Sequence, residues 1–186
     1  MTVTIALPFE IVTRCQHYGR GLVAAFADVR SSDSESFVKS RLLSSDGVEK
    51  DPVAQGRAKM AECAFCRWAV LDIEKLNWTM RQPDDGTDIK WRNVLLDIKH
   101  TAYPDGVLIW PRKKNERYKE KRFDVIVLVR GIEPYFELAG CVSKKRFIKE
   151  HKIAGPGHHL REGTWFMEAE LLRSVSELKE YVEAQA

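Results

Sequence analysis

Between Asp88 and Lys99 the chain runs as two short stretches of apolar and polar positions, Asp88-Ile89-Lys90-Trp91 and Val94-Leu95-Leu96-Asp97-Ile98-Lys99, separated by Arg92-Asn93. Side chains alternate between the two faces of a strand, so this period predicts a β-hairpin. Asn93 tolerates the left-handed backbone of a tight turn, which sets a two-residue loop at Arg92-Asn93. The register that follows pairs Trp91 with Val94, Ile89 with Leu96 and Asp88 with Asp97. Any symmetric loop centred between Arg92 and Asn93 preserves that pairing.

Elsewhere the spacing becomes helical. The first thirty residues read as mainly helical, ending near Val29-Arg30, and polar breaks follow at residues 31–34 and 44–50. Asp51-Pro52 is a helix start, with Asp51 as N-cap and Pro52 at the first helical position. Ala54, Ala58, Ala61, Phe65 and Trp68 fall at helical spacing and predict the buried stripe of a helix reaching about Asp72. Glu62 lies about 100° round from Ala61, beside that stripe. After a turn at Asp84-Asp85-Gly86, strand-like runs occupy the hairpin and residues 106–110, 123–129 and 135–142. Residues 143–152 and 168–183 read as helices, and the last three residues as a frayed end.

Four or five strands in succession, with helices before and after, predict an α+β or mixed α/β sheet domain. A chain of 186 residues that is 44% hydrophobic can bury one sizeable core. The expected organisation is a helical N-terminal extension, residues 1–50, packed on a domain of residues 51–186. The amphipathic extension is also a candidate face for a homodimer or a partner protein.

The hairpin carries the chemistry. Directly opposed residues lie roughly 5 Å apart at Cβ, so Asp88 and Asp97 repel unless something positive sits between them. Lys99 shares a face with Asp97, while Leu96 and Ile98 point the other way. Two acids and an amine therefore converge.

An acid on a helix (Glu62), an acid at the first hairpin strand (Asp88) and the tripeptide Asp97-Ile98-Lys99 together resemble the PD-(D/E)XK nuclease superfamily over roughly residues 51–142. Pro83-Asp84 matches the literal "PD", so Asp84, Asp85 and Asp88 compete for the role of first acid. The register favours Asp88, because Asp84 and Asp85 sit with Gly86 in a turn. The segment Glu137-Leu138-Ala139-Gly140-Cys141-Val142-Ser143 and the basic helix after it are similar, less specifically, to segments of restriction-endonuclease-like proteins from phages and mobile elements.

The resemblance implies a restriction-endonuclease-like core of a mixed four- or five-stranded sheet, and a metal-dependent deoxyribonuclease. It further implies Mg²⁺ or Mn²⁺ held by Asp88, Asp97 and the Ile98 carbonyl, with Glu62 binding through water or completing a second metal position. Hard divalent cations prefer such oxygen ligands. Lys99 is then expected to hold or help deprotonate the attacking water. Endonucleolytic cleavage or nicking is preferred to exonucleolytic action, and a catalytically silent DNA-binding module is the alternative from a different class.

Charge distribution points to DNA as partner more than the net charge of +3 does. Arg112, Lys113, Lys114, Arg117, Lys119, Lys121 and Arg122 crowd one inter-strand segment, and Lys144, Lys145, Arg146 and Lys149 form a second cluster. Both suit a phosphate backbone, with Trp110 and Tyr118 placed to stack on bases. No element suits base-specific readout.

Competing sites carry less. Cys63-X-X-Cys66 lies inside the expected helix rather than on a knuckle, which argues against a zinc site with Cys15, His17, His158 or His159. His100 follows Lys99 and so faces away from it, which suits a structural role. There is no Walker-type phosphate loop. The N-terminus lacks the pattern of a secretory signal and no run approaches transmembrane length, so a cytoplasmic location with reduced cysteines is expected.

Overall fold

A computed structural model describes residues 2–31, 51–79, 87–110 and 122–185, with side chains from 26 to 31 left out. The polar breaks beyond Ser31, at 32–34 and 44–50, the Asp84-Asp85-Gly86 turn and the basic residues Arg112 to Lys121, with Tyr118, lie outside this set.

In chain order the elements are β1 (Val3–Ala6), α1 (Phe9–Ser31), α2 (Pro52–Ala69), β2 (Ile89–Trp91), β3 (Val94–Thr101), β4 (Leu108–Trp110), β5 (Val125–Ile132), β6 (Tyr135–Ser143), α3 (Lys144–Glu150), β7 (Lys152–Ile153), β8 (Trp165–Met167) and α4 (Val175–Ala184). The fold is mixed α+β: a five-stranded sheet in the order β1-β6-β5-β3-β2, and a three-stranded sheet in the order β4-β8-β7. Within the larger sheet β3 and β5 run parallel, and every other neighbouring pair is antiparallel.

Both faces of the larger sheet are covered. Leu96, Ile98, Val127, Val129 and Leu138 pack with α1, α2 and α4 on one side. Ile126, Leu128 and Val142 pack with Leu108, Trp110, Phe147 and Met167 on the other. A strand covered on both faces has no polar side, which is why β5 opens as the unbroken apolar run Val125-Ile126-Val127-Leu128-Val129.

The N-terminal region differs from the helical extension expected from sequence. Residues 3–6 are a strand, antiparallel to β6 with Val3 opposite Leu138, and Leu7, Val12 and Cys15 sit in the main core. Four residues are too few to show an alternating pattern before the helical spacing of α1 begins. α1 then crosses α2 at very close range, since a Cβ on Gly19 would lie 2.2 Å from the Pro52 carbonyl oxygen and 2.7 Å from the Gly56 nitrogen.

Asp51 caps α2 as expected, accepting from the Val53 N–H at 2.8 Å. The helix stops at Ala69 rather than Asp72, because Val70 takes a left-handed conformation (φ 55°). Its buried surface is also wider than one stripe: α1 and the sheet enclose residues 59–66, while Ala58 is exposed. The C-terminal helix starts at Val175, not at 168. Ser174 and Glu177 form a reciprocal capping box there, a start signal present in the sequence as Ser-X-X-Glu.

Candidate active site

The hairpin has the predicted register from Trp91 opposite Val94 to Ile89 opposite Leu96, and the ladder ends there, short of the expected Asp88–Asp97 pair. Its turn is built differently. Arg92, not Asn93, takes the left-handed backbone (φ 53°), and its guanidinium donates to the carbonyls of Val182 and Glu183 at the end of α4. Those last carbonyls lack helical partners and carry the negative end of the helix dipole, so a cation is favoured there.

Asp88 lies one step beyond the last hairpin pair. Its N–H donates to the Leu96 carbonyl, and its Oδ2 accepts from the Ile98 N–H at 2.6 Å. Asp97 is 1% exposed and its Oδ2 lies 2.6 Å from Lys99 Nζ. The two carboxylates take different partners on β3, an amide for Asp88 and an ammonium for Asp97. Lys99 also lies 5.2 Å from the centre of the Trp110 ring.

Glu62 is carried by α2, which packs on the sheet face of Leu96 and Ile98. It is buried, and its Oε2 lies 2.5 Å from Lys59 Nζ. Burial first, and then the charge of Asp88, push its carboxyl up to about 8, against the pull of Lys59. Burial pulls Lys59 down, but Glu62 more than offsets it and leaves the ammonium above the ordinary lysine range, with Asp88 adding to the effect. Asp88 is thus hydrogen-bonded to Ile98 within Asp97-Ile98-Lys99, while its charge helps hold both the Glu62 carboxyl and the Lys59 ammonium above their ordinary values.

Lys59 was not singled out from sequence. Its only signal is a lysine three residues before Glu62, a spacing found on most solvated helices.

Among the described residues no three His, Cys, Asp or Glu side chains form a group that could hold a metal ion. Of the residues weighed for zinc, Cys15 and Cys63 meet across α1 and α2. Cys15 Sγ is 3.7 Å from Cys63 Sγ, all four cysteines are free and buried, and His17 is exposed. The carboxylates at the hairpin still suit Mg²⁺ or Mn²⁺ chemically, since such ions use one or two protein carboxylates and complete their shell with water and substrate phosphate. His100 faces away from Lys99 as expected, with Nε2 2.8 Å from the Gly131 carbonyl oxygen and its ring against Phe136. Burial holds it below the usual histidine range.

The basic surface is partly described. The Thr87 hydroxyl donates to the Arg122 carbonyl, which brings the last residue of the basic segment beside Asp88. Asp124 joins the starts of β3, β5 and α3: its Oδ2 and N–H bond Leu95, and its carbonyl accepts from the Lys144 N–H at 2.8 Å. Lys144 lies 5.0 Å from the Phe123 ring centre, and Phe123 packs against Trp110. Lys145 is exposed beside it. Trp110 is 2% exposed, which corrects the expectation that it stacks on bases. It is a floor beneath Lys99.

Comparison of the chain with family models, with curated proteins and with solved structures finds no significant match. No helix among the described residues is long and apolar enough to cross a membrane.

Proposed function

We propose that this chain is a metal-dependent nuclease of restriction-endonuclease-like type that hydrolyses phosphodiester bonds in DNA, by endonucleolytic cleavage or nicking. The observation that carries the reading is the position of Asp88, bonded to the amide between Asp97 and Lys99 while its charge acts on Glu62. An acid of α2 and two acids of the hairpin region are the candidates for one site.

Asp88, Asp97 and the Ile98 carbonyl would hold Mg²⁺ or Mn²⁺, with Glu62 behind them. The ion supplies polarisation of the scissile phosphate and a more acidic water. Lys99 acts on the substrate side: its ammonium, oriented by Asp97 and supported by the Trp110 ring, positions the attacking water and offsets charge growing on the phosphate oxygens. Lys144, Lys145 and the segment from Arg112 to Arg122 track the backbone electrostatically, without base readout.

A second reading, a catalytically silent DNA-binding module, draws on the partners that the acids already have within the chain: Asp88 on an amide, Asp97 and Glu62 on lysines. A cleavage assay separates the two. Supercoiled plasmid, linear duplex and single-stranded DNA are incubated with EDTA, Mg²⁺ or Mn²⁺, using wild type, Asp97→Ala and Lys99→Ala. Cutting by metal-loaded wild type alone supports the nuclease, and the preferred DNA form assigns its type. DNA binding with no cutting by any variant supports the silent module, and cutting that survives both substitutions sinks the assignment of these residues.

A further inference from the structure

Only three charged side chains are buried among the described residues: Asp97, Glu62 and Lys59. The first two belong to the proposed site. The third requires an explanation, because desolvating an ammonium costs several kcal/mol unless its surroundings return it.

Those surroundings come from three parts of the chain. Lys59 Nζ lies 2.5 Å from Glu62 Oε2, donates to the Asn77 carbonyl at 3.1 Å, and sits 5.0 Å and 5.8 Å from the ring centres of Tyr18 and Trp78. Tyr18 and Trp78 meet edge to face at 5.8 Å, and Trp78 is fixed in turn by its indole N–H on the Ile73 carbonyl. The result is a cage around an ammonium whose ion-pair partner among the described residues is the Glu62 carboxyl on the same helix.

That last point decides the role. An ion pair such as Arg57–Glu133 ties α2 to the β5–β6 turn and so adds tertiary cohesion. Lys59 and Glu62 are neighbours on one helix, and their ion pair joins nothing that α2 does not already join. Apolar residues of similar volume would serve cohesion as well or better. What the pair does fix is the direction of the Glu62 carboxylate.

We infer that Lys59 is a positioning residue: the cage of Tyr18, Trp78 and the Asn77 carbonyl holds its ammonium, and the ammonium fixes the direction in which Glu62 is offered to a divalent cation. The inference rests on the nuclease reading and gives the N-terminal helix a part in the site through Tyr18.

The test is Mn²⁺ binding to the full chain without DNA, followed by electron paramagnetic resonance, for wild type, Lys59→Gln and Lys59→Arg. Supporting groups behind metal ligands are worth about 10- to 100-fold in affinity. Lys59→Gln is expected to weaken Mn²⁺ binding within that range, with partial recovery in Lys59→Arg. Equal affinity in Lys59→Gln, or tighter binding, overturns the proposal. Tighter binding would mean that the ammonium competes with the metal.

If Lys59→Gln does not fold by circular dichroism, the wild-type chain decides. Its Lys59 ¹⁵Nζ resonance, assigned by its loss in Lys59→Arg, is expected to shift with Mg²⁺ at the same midpoint as metal binding, and a resonance indifferent to Mg²⁺ overturns the proposal. Wild type that binds no metal and cuts no DNA removes the nuclease reading and the inference together. Wild type that does both while Lys59→Gln matches it removes the inference alone.

Discussion

Lys99 Nζ lies 2.6 Å from Asp97 Oδ2 on one face of β3, and the carboxylate is sealed in while the lysine side chain keeps 28% of its surface exposed. The pair is therefore unequal. Deleting Lys99 leaves an anion in the interior, whereas deleting Asp97 leaves a cation that can still reach water.

Lys99→Met should consequently lower stability by about 2–3 kcal/mol, somewhat below the 3–5 typical of fully buried pairs. The double variant Asp97→Asn, Lys99→Met should recover at least half of that loss. Urea unfolding measures both, and strictly additive losses would contradict the coupling.

Stability should also respond to pH through Glu62. Its folded-state carboxyl is raised from 4.5 to about 8, chiefly by burial. Between those values the folded chain keeps a proton that the unfolded chain has released. The contribution is therefore fully present below about 4.5 and is lost as pH rises through about 8. Urea midpoints in EDTA should fall across this window for wild type, and the fall should be smaller in Glu62→Gln. An equal slope in both would show that another group is responsible.

Gly19→Ala tests the helix crossing that seats α2. Alanine gains about 1 kcal/mol of helix propensity over glycine, but its Cβ would meet the Pro52 oxygen at 2.2 Å, and backbone cannot swing aside as a side chain can. Overpacking typically costs about 1–3 kcal/mol, and this contact belongs at or beyond the upper end. A net fall in Tm of about 4–8 °C is expected by differential scanning calorimetry. Gly155→Ala, where an added Cβ meets nothing within 4 Å, should leave Tm almost unchanged.

Lys144 and Lys145 open α3 beside the Asp124 junction. If both contact phosphate, Lys144→Gln and Lys145→Gln should each weaken DNA binding regardless of sequence, and each should reduce the slope of log K against log salt by about 1. Fluorescence anisotropy between low and moderate salt reads this directly. An unchanged slope in either variant would remove that lysine from the interface.

Local pattern by itself determined the hairpin register, the Asp51 cap and the shared face of Asp97 and Lys99. Each depends only on residues a few positions apart, on strand alternation or on an N-terminal hydrogen bond, and distant parts of the chain cannot alter it without breaking the element. The capping box at Ser174 is equally local, since its two partners lie three residues apart.

Tertiary structure decided the rest. β1 is a strand because β6 offers an edge to pair with, and four residues carry no period of their own. Arg92 rather than Asn93 takes the left-handed turn because the end of α4 supplies carbonyls for its guanidinium. Trp110 became a buried floor rather than a stacking platform because β8 and Phe123 cover it. Lys59, three residues from Glu62 and indistinguishable in sequence from a solvated lysine, is enclosed because α1 crosses close enough at Gly19 for Tyr18 to reach it. Burial is set by what packs over a residue from elsewhere in the chain, and it is burial that separates a surface charge from a candidate part of an active site.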